Sequence, residues 1–172
     1  MALGMIQIQT NRAAQGIDEC ERALALDRNL ASAHGWIGHA KCCAGRPTET
    51  EAHVNEALRL SPRDTFVFRW MMFTGFAKLQ LGADADAVML LRRGIEANRN
   101  RNFPLLHFFL ASALALLGHL DHSQTAAQAG LALDPHFTIR RYRNASPSNN
   151  PTFLAGRERI YEGMRLAGVP EG

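Results

Sequence analysis

The sequence has few of the residues that would tie it to a disulfide framework or a membrane. Its 172 residues include three cysteines, Cys20, Cys42 and Cys43, and the adjacent pair is poorly placed to form a bridge. Spaced cysteine pairs are absent, so a reducing, cytoplasmic compartment is expected. No run of about 18 apolar residues occurs, which excludes a membrane-spanning helix. The opening, MALGMIQIQTNR, lacks the basic lead and long apolar core of a signal peptide.

Motifs of catalysis and cofactor binding are also missing. The chain contains no GxGxxG, Walker-type Gly-Lys-Ser/Thr, HExxH or GxSxG sequence. His39 and Cys42 are spaced to share a helix face, but a zinc site needs four converging ligands and no second cluster supplies the rest. We therefore expect no enzyme activity, cofactor, metal or small-molecule substrate.

A repeat runs through most of the chain. Residues 19–29, 53–63, 90–100 and 125–135 share a small residue followed by Leu or Ile, and each segment has a closing residue at its end or one position before it. The small residues are Ala23, Ala57, Gly94 and Gly130, and the closing residues are Arg28, Pro62, Arg99 and Pro135. A turn residue precedes each closing residue by 17 positions, namely Asn11, Gly45, Gly82 and Gly118. Phased recurrence of this kind indicates stacked supersecondary units.

Both halves of each unit have helical periodicity. Apolar residues recur at i, i+3, i+4 and i+7, and Gly or Asn at the turn suits a left-handed helix end. The distance from a closing residue to the next turn is 17, then 20, then 19 residues. Because such an insertion is close to one helical turn, we expect the later first helices to be extended. The array occupies 1–135, with units at about 1–30, 31–64, 65–101 and 102–135.

These features resemble the tetratricopeptide-repeat family. His34, Ile37, Gly38 and Lys41 loosely hold the first part of its W-x2-L-G-x2-Y pattern, and Thr50, Val54, Ala57 and Pro62 hold the second. The resemblance implies an all-α fold, a right-handed superhelix of helical hairpins. Leu3–Gly4 lies 34 residues before Ile37–Gly38, so the first unit is partial and should leave an apolar edge exposed.

The segment after the repeats has a different pattern. Residues 136–172 form an extension, in which HFTIRRYRNASPSNN precedes an amphipathic stretch that predicts a final helix at about 151–167. The simplest interpretation is a capping helix. The alternative is that 136–150 fold back into the groove of the array as an internal ligand.

The extension adds a second resemblance. FTIRRYR, SNNPTFLAGRERIYEGMRLAGVPE and GADADAVMLLRRGIEANRN are similar to tetratricopeptide regions that follow the catalytic domain in bacterial adenylate and guanylate cyclases, or the winged-helix domain of some bacterial regulators. This similarity implies a regulatory or assembly region of a bacterial signalling protein. It implies no cyclase activity, since the repeats leave no room for a catalytic domain.

The resemblance also implies a binding groove, because the first helix of each unit lines the concave face in this family. The groove residues would be Trp36, His39, Phe66, Arg69, Trp70, Phe73, Leu106 and His107. Aromatic residues and Arg are enriched in binding hot spots, although any of these side chains could instead belong to the inter-helix core. The positions of the family's carboxylate clamp hold Gly35, His39 and Trp70, so that clamp is absent.

We therefore expect a non-catalytic scaffold that binds an apolar or amphipathic protein segment, or a second copy of itself. The alternative is nucleic-acid binding through Arg92, Arg93, Arg99, Arg101 and Arg140–Arg143. A net charge of +3 is too small to favour this alternative by itself.

Overall fold

A computed structural model describes residues 1–98 and 102–172, and within them all regular structure is helical. The described helices are α1 (Ala2–Gln9), α2 (Ala13–Leu26), α3 (Ala31–Cys43), α4 (Thr50–Leu60), α5 (Val67–Gln80), α6 (Asp84–Ala97), α7 (Pro104–Leu116), α8 (Leu120–Leu133), α9 (Ile139–Asn144) and α10 (Pro151–Leu166). A single 3-10 turn, Pro47–Glu49, precedes α4. Arg99 and Arg101, which the sequence placed in a basic cluster, lie outside the described residues.

Helices α1 to α8 form four hairpins, each with a tight turn between its two helices. The turns contain Asn11, Gly45, Gly82 and Gly118 at φ values of 60°, 79°, 76° and 82°. These values lie in the left-handed region, where glycine has no steric penalty and Asn is tolerated. The turn positions predicted from the sequence are therefore confirmed.

The expectation of extended first helices is wrong. Helices α3, α5 and α7 contain 13, 14 and 13 residues, so they do not lengthen along the array. The longer spacing is taken up between hairpins: α4 ends at Leu60 and α5 begins only at Val67. Pro62 cannot continue a helix, and the Asp64 carboxylate accepts a hydrogen bond from the Phe66 amide at 2.9 Å, which favours a turn.

Small residues let neighbouring helices approach closely. A Cβ at Gly94 would lie 2.9 Å from Leu106, and one at Gly130 would lie 2.7 Å from the Phe108 ring. A Cβ at Gly35 would meet the Trp70 indole at 2.5 Å. Larger side chains would overpack the joints between hairpins at Gly35 and Gly94, and the contact between α7 and α8 at Gly130.

The C-terminal helix covers part of the concave face of the array. Helix α10 packs against α7 and α5, the inner helices of two hairpins, while Phe137 stacks on Phe108 with ring centroids 3.8 Å apart. Gly156 and Gly163 allow the α10 backbone to approach Gln80 and Ser112. The predicted cap thus lies along the inner helices.

Residues 147–150 form a connection, here called the strap, back to the first two hairpins. The Ser148 hydroxyl donates to the Cys43 carbonyl at 2.7 Å, and the Asn150 amide donates to the Ala44 carbonyl at 3.2 Å. Asn11 donates its backbone N–H to Pro147 O at 3.0 Å and accepts from the Asn149 N–H at 2.8 Å. The carbonyls at the end of a helix lack intrahelical donors, so the strap supplies donors at the end of α3.

The first helix exposes apolar side chains. Leu3 and Ile6 of α1 are 52% and 56% exposed. Gly4 contacts Gly16 and Cys20, much as Gly38 contacts Thr50 and Val54, which supports the alignment of the two units. Among the described residues, no helix is long and apolar enough to cross a bilayer.

Candidate functional site

A cavity of about 490 Å³ lies on the part of the concave face that α10 leaves uncovered. Helices α3, α5 and α7 form one wall, and the opposite wall comes from α9, the strap and the first turn of α10. Gln9 and Ala145, both exposed, are at its rim. The volume is within the range of about 300–1,000 Å³ that is typical of ligand sites.

Eight of the fourteen residues that line the cavity carry aromatic rings. The rings belong to Trp36, His39, Phe73, Phe76, Phe103, Phe109, Tyr142 and Phe153. Neighbouring rings touch across helices: His39 stacks on Phe73 at 4.1 Å, and Phe76 approaches Phe153 at 5.9 Å between centroids. Such mutual packing fixes the ring orientations, so the cavity wall is preorganised.

Arg69 brings a positive charge to the cavity wall. Its guanidinium carbon lies 5.9 Å from the Trp36 ring centroid, 5.3 Å from Phe66 and 5.5 Å from Phe103. Partial burial lowers the pKa of Arg69, but a guanidinium stays protonated at any physiological pH. The cation is therefore held among π-systems, which attract it.

His39 is the second polar side chain of the inner wall. It is 8% exposed, and its Nε2 lies 3.7 Å from the Cys43 sulfur. Burial, aided by the charge of Arg69, lowers the pKa of His39 to about 4, so the imidazole is neutral near pH 7. Burial likewise raises the pKa of Cys43 to about 12, so this thiol is not a nucleophile at neutral pH.

The structure brings together four of the eight groove residues expected from the sequence. Trp36, His39, Arg69 and Phe73 line the cavity. Phe66 is 46% exposed next to Arg69 but lies outside the lining. The binding role of these residues stays a prediction.

Three others are placed elsewhere, which corrects the sequence-based set. Trp70 is 1% exposed and packs on Gly35 in the joint between hairpins. Leu106 is fully buried against Gly94. His107 lines a separate cavity of about 330 Å³ with Ile95 and Leu110. Successive helical residues point about 100° apart, so of residues 105–107 it is Leu105 that faces the aromatic cavity.

Sequence reasoning missed most of the remaining lining. Met72 and Phe76 lie three and seven residues after Arg69, so the helical spacing of α5 could have found them. Tyr142, Pro147 and Phe153 come from the extension, and no local pattern reveals that they reach this surface.

A buried arginine supports the cavity wall that the C-terminal extension forms. Arg157 is 1% exposed, donates from Nη2 to the Tyr142 carbonyl at 2.8 Å and lies 4.2 Å from the Tyr142 ring centroid. It is absent from the cavity lining. Its contacts hold α9 against α10 and so position the Tyr142 ring.

The other candidate chemistry is dispersed. Within residues 1–98 and 102–172, no group of three or more His, Cys, Asp or Glu side chains is arranged to hold a metal ion. Arg92, Arg93, Arg140 and Arg141 are exposed on α6 and α9. Arg143 pairs with Glu158 at 3.0 Å.

Comparison with known proteins identifies the fold. No family model and no curated protein matches the sequence. Among solved structures, a MamA crystal structure covers 91% of this chain and 86% of its own, at TM-score 0.63 and 18% identity. A structure of MamA AMB-1 covers 96% and 91%, at TM-score 0.65 and 19% identity.

YrrB, a TPR protein with an unusual peptide-binding site, matches at TM-score 0.57 and 21% identity over 90% of this chain and 76% of its own. The fold is a tetratricopeptide-type helical-hairpin solenoid. At these identities the similarity establishes the fold alone, so the function must be argued from the site.

Proposed function

We propose that this chain is a non-catalytic scaffold that binds an apolar or amphipathic segment of a partner protein in the aromatic cavity. The observation that carries the proposal is the preformed cavity itself, which remains open after α10 has covered the neighbouring part of the concave face. Aromatic residues and Arg dominate binding hot spots in pockets of this kind.

The chemistry of the lining favours binding over catalysis. Among residues 1–98 and 102–172, no Asp, Glu, Ser, Thr or Lys side chain lines the cavity. His39, with a pKa of about 4, is a poor general base at neutral pH because catalysis favours a pKa near the working pH. The cavity instead offers apolar area to desolvate a partner side chain, at about 25 cal/mol per Å² buried.

The test fills the mouth of the cavity without removing a core contact. Ala145 is exposed at the rim, so Ala145→Trp should occupy space in the cavity, whereas Ala145→Ser is the matched control. Peptides selected from a random displayed library against the wild-type chain would be measured by fluorescence anisotropy. We expect Ala145→Trp to weaken binding at least tenfold and Ala145→Ser to leave it unchanged.

Circular dichroism melts would verify that both variants are folded. Equal affinity of the selected peptides for Ala145→Trp and wild type would remove the cavity as the binding site. Sedimentation would identify a self-partner: a dimer that Ala145→Trp dissociates would make a second copy of the chain the occupant.

We further propose that the scaffold serves as a regulatory or assembly region of a bacterial signalling protein, in the cytoplasm. The sequence similarity of 137–143 and 148–171 to regions that follow cyclase or winged-helix domains supports this context, as do the three buried, unbridged thiols. The reading frame that encodes the chain tests it, since a cyclase or winged-helix domain is expected in the same frame.

A further inference from the structure

The charge of Arg69 is uncompensated within the described part of the chain. No carboxylate among residues 1–98 and 102–172 forms an ion pair with it, and its Nε is buried without a hydrogen-bond acceptor there. Other cations near the concave face have partners: Arg159 donates to Asp84 at 2.6 Å, and Lys78 lies 2.8 Å from Glu51. Arg157 also lacks a carboxylate, but it is 1% exposed, donates to the Tyr142 carbonyl and does not line the cavity. Among the described residues, Arg69 is therefore the cation without an anion that lines the cavity.

A second polar group on the same wall also lacks a partner. His39 is more than nine-tenths buried, lines the cavity and has no hydrogen-bond partner at Nδ1 among the described residues. Both groups lie beside the same indole: the Arg69 guanidinium carbon is 5.9 Å from the Trp36 ring centroid, and the His39 ring centroid is 6.0 Å from it. The inner wall thus presents a cation and a neutral imidazole with unused hydrogen-bonding capacity.

An unpaired cation and an unsatisfied buried nitrogen both carry a free-energy cost. The rings near Arg69 offset part of this cost but supply no hydrogen-bond acceptor. A carboxylate would supply acceptors for the guanidinium N–H groups in charge-assisted bonds, which are about twice as strong as neutral ones. Since none of the described residues that line the cavity is Asp or Glu, we assign this anion to the ligand.

We propose that the cavity selects a partner segment in which an acidic side chain lies next to a bulky apolar residue, with the carboxylate bound by Arg69 beside His39. The apolar residue packs among the rings of Trp36, Phe73 and Phe109. This inference rests on the proposed scaffold function and specifies the chemistry of its partner. Because Arg69 contacts the ligand directly, it determines specificity as well as affinity.

The experiment uses random 12-residue peptides displayed as internal segments, so that no free C-terminal carboxylate is present. Selection would be run in parallel against the full chain, Arg69→Met, Arg69→Glu and Arg93→Met. Methionine keeps an apolar stem among the rings, and Arg93 is an exposed arginine of α6 that serves as the matched control.

We expect Asp or Glu beside a large apolar residue in peptides selected by the wild type and by Arg93→Met. Arg69→Met should lose the acidic preference, and Arg69→Glu should replace it with Lys or Arg. In a selected peptide, changing Glu to Gln should weaken binding to the wild type about tenfold and binding to Arg69→Met not at all.

The possible failures are distinguishable. If the wild type selects apolar peptides without an acidic residue, or if Arg69→Met keeps the acidic preference, the charge recognition is wrong while the scaffold function stands. If none of the peptides selected by the wild type binds Ala145→Trp more weakly than the wild type, the scaffold function itself fails. Binding of free 3-phenylpropionate without any acidic peptide would overturn the assignment to a protein partner.

Discussion

The inner helices of the array form a concave face with two parts. The C-terminal extension covers one part and leaves the other open as the aromatic cavity. In the covered part, α10 supplies partners to α5 and α7: Ser112 donates to the Ile160 carbonyl at 2.9 Å, and Arg159 bonds both the Leu79 carbonyl and Asp84. In the open part, Arg69 and His39 keep unused donors or acceptors among aromatic rings. Gln80 and Arg157 also have unsatisfied polar atoms, but among the described residues Arg69 and His39 are the side chains with such atoms that line the cavity, where a ligand is proposed.

This difference shows how a repeat array can set the size of its own binding site. A concave groove along three or four inner helices would bind a long peptide segment. The C-terminal extension leaves only a cavity of about 490 Å³ open. The tail also adds Tyr142 and Phe153 to the wall. It is therefore a component of the proposed site as well as a cover for the array.

The largest expected change in stability comes from disrupting the packing of α10 on α7 at Gly163. A Cβ there would lie 2.2 Å from the Ser112 hydroxyl oxygen and 2.7 Å from the Ser112 carbonyl oxygen. Gly163→Leu should therefore lower the free energy of unfolding by about 3 kcal/mol or more, through overpacking and displacement of α10. Urea denaturation would measure it.

Ala155→Leu is the matched control, since Ala155 is exposed on the same helix. Equal denaturation midpoints for Gly163→Leu and the control would show that α10 does not pack closely on α7.

The second prediction concerns His39 in the open part of the concave face and the pH dependence of the free energy of unfolding. The pKa of His39 is about 4 in the folded chain and about 6.5 when unfolded, so the unfolded state takes up a proton first as the pH falls. The contribution of neutral His39 is complete above about pH 6.5 and is lost as the pH falls to about 4. The loss should reach about 3 kcal/mol.

His39→Phe should remove this component while keeping a ring stacked on Phe73. Urea denaturation between pH 7 and pH 4 would compare the two proteins, and the difference curve isolates His39 from the carboxylates that titrate in the same range. Parallel stability profiles would contradict the buried, neutral imidazole.

The smallest effect sharpens the role of the strap. Ser148→Ala removes the donor to the Cys43 carbonyl and the acceptor for the Asn150 N–H. We expect a loss of about 1 kcal/mol in the free energy of unfolding. Thr152→Ala, at an exposed position two residues into α10, should cost less; a loss as large as that of Ser148→Ala would show that the effect is not specific to the hydrogen bonds of the strap.

The fold was accessible from the sequence because its signals are local. Apolar periodicity defined the helices, and Asn11, Gly45, Gly82 and Gly118 marked turns whose backbone only Gly or Asn adopts readily. Helix ends were less accessible: the added residues near Pro62 lengthened a link between hairpins, because Pro62 and Asp64 favour a turn over continued helix.

The site was accessible only in part. Trp36, His39, Arg69 and Phe73 followed from the expected position of first helices. Leu105 lines the cavity in place of the predicted Leu106, because successive residues point about 100° apart around a helix. Trp70 follows Arg69 in α5, but its indole packs on Gly35, which has no Cβ, in the joint between hairpins.

What the sequence by itself determined is the repeating unit: paired amphipathic helices, tight turns and small residues at the joints, all specified by interactions within about 35 residues. Only the tertiary structure decided which part of the concave face stays open. The strap joins Ser148 to Cys43 and Asn149 to Asn11 across 105 and 138 residues. Hydrogen bonds over such separations depend on the assembled curvature of four hairpins, and no local pattern in the chain encodes them.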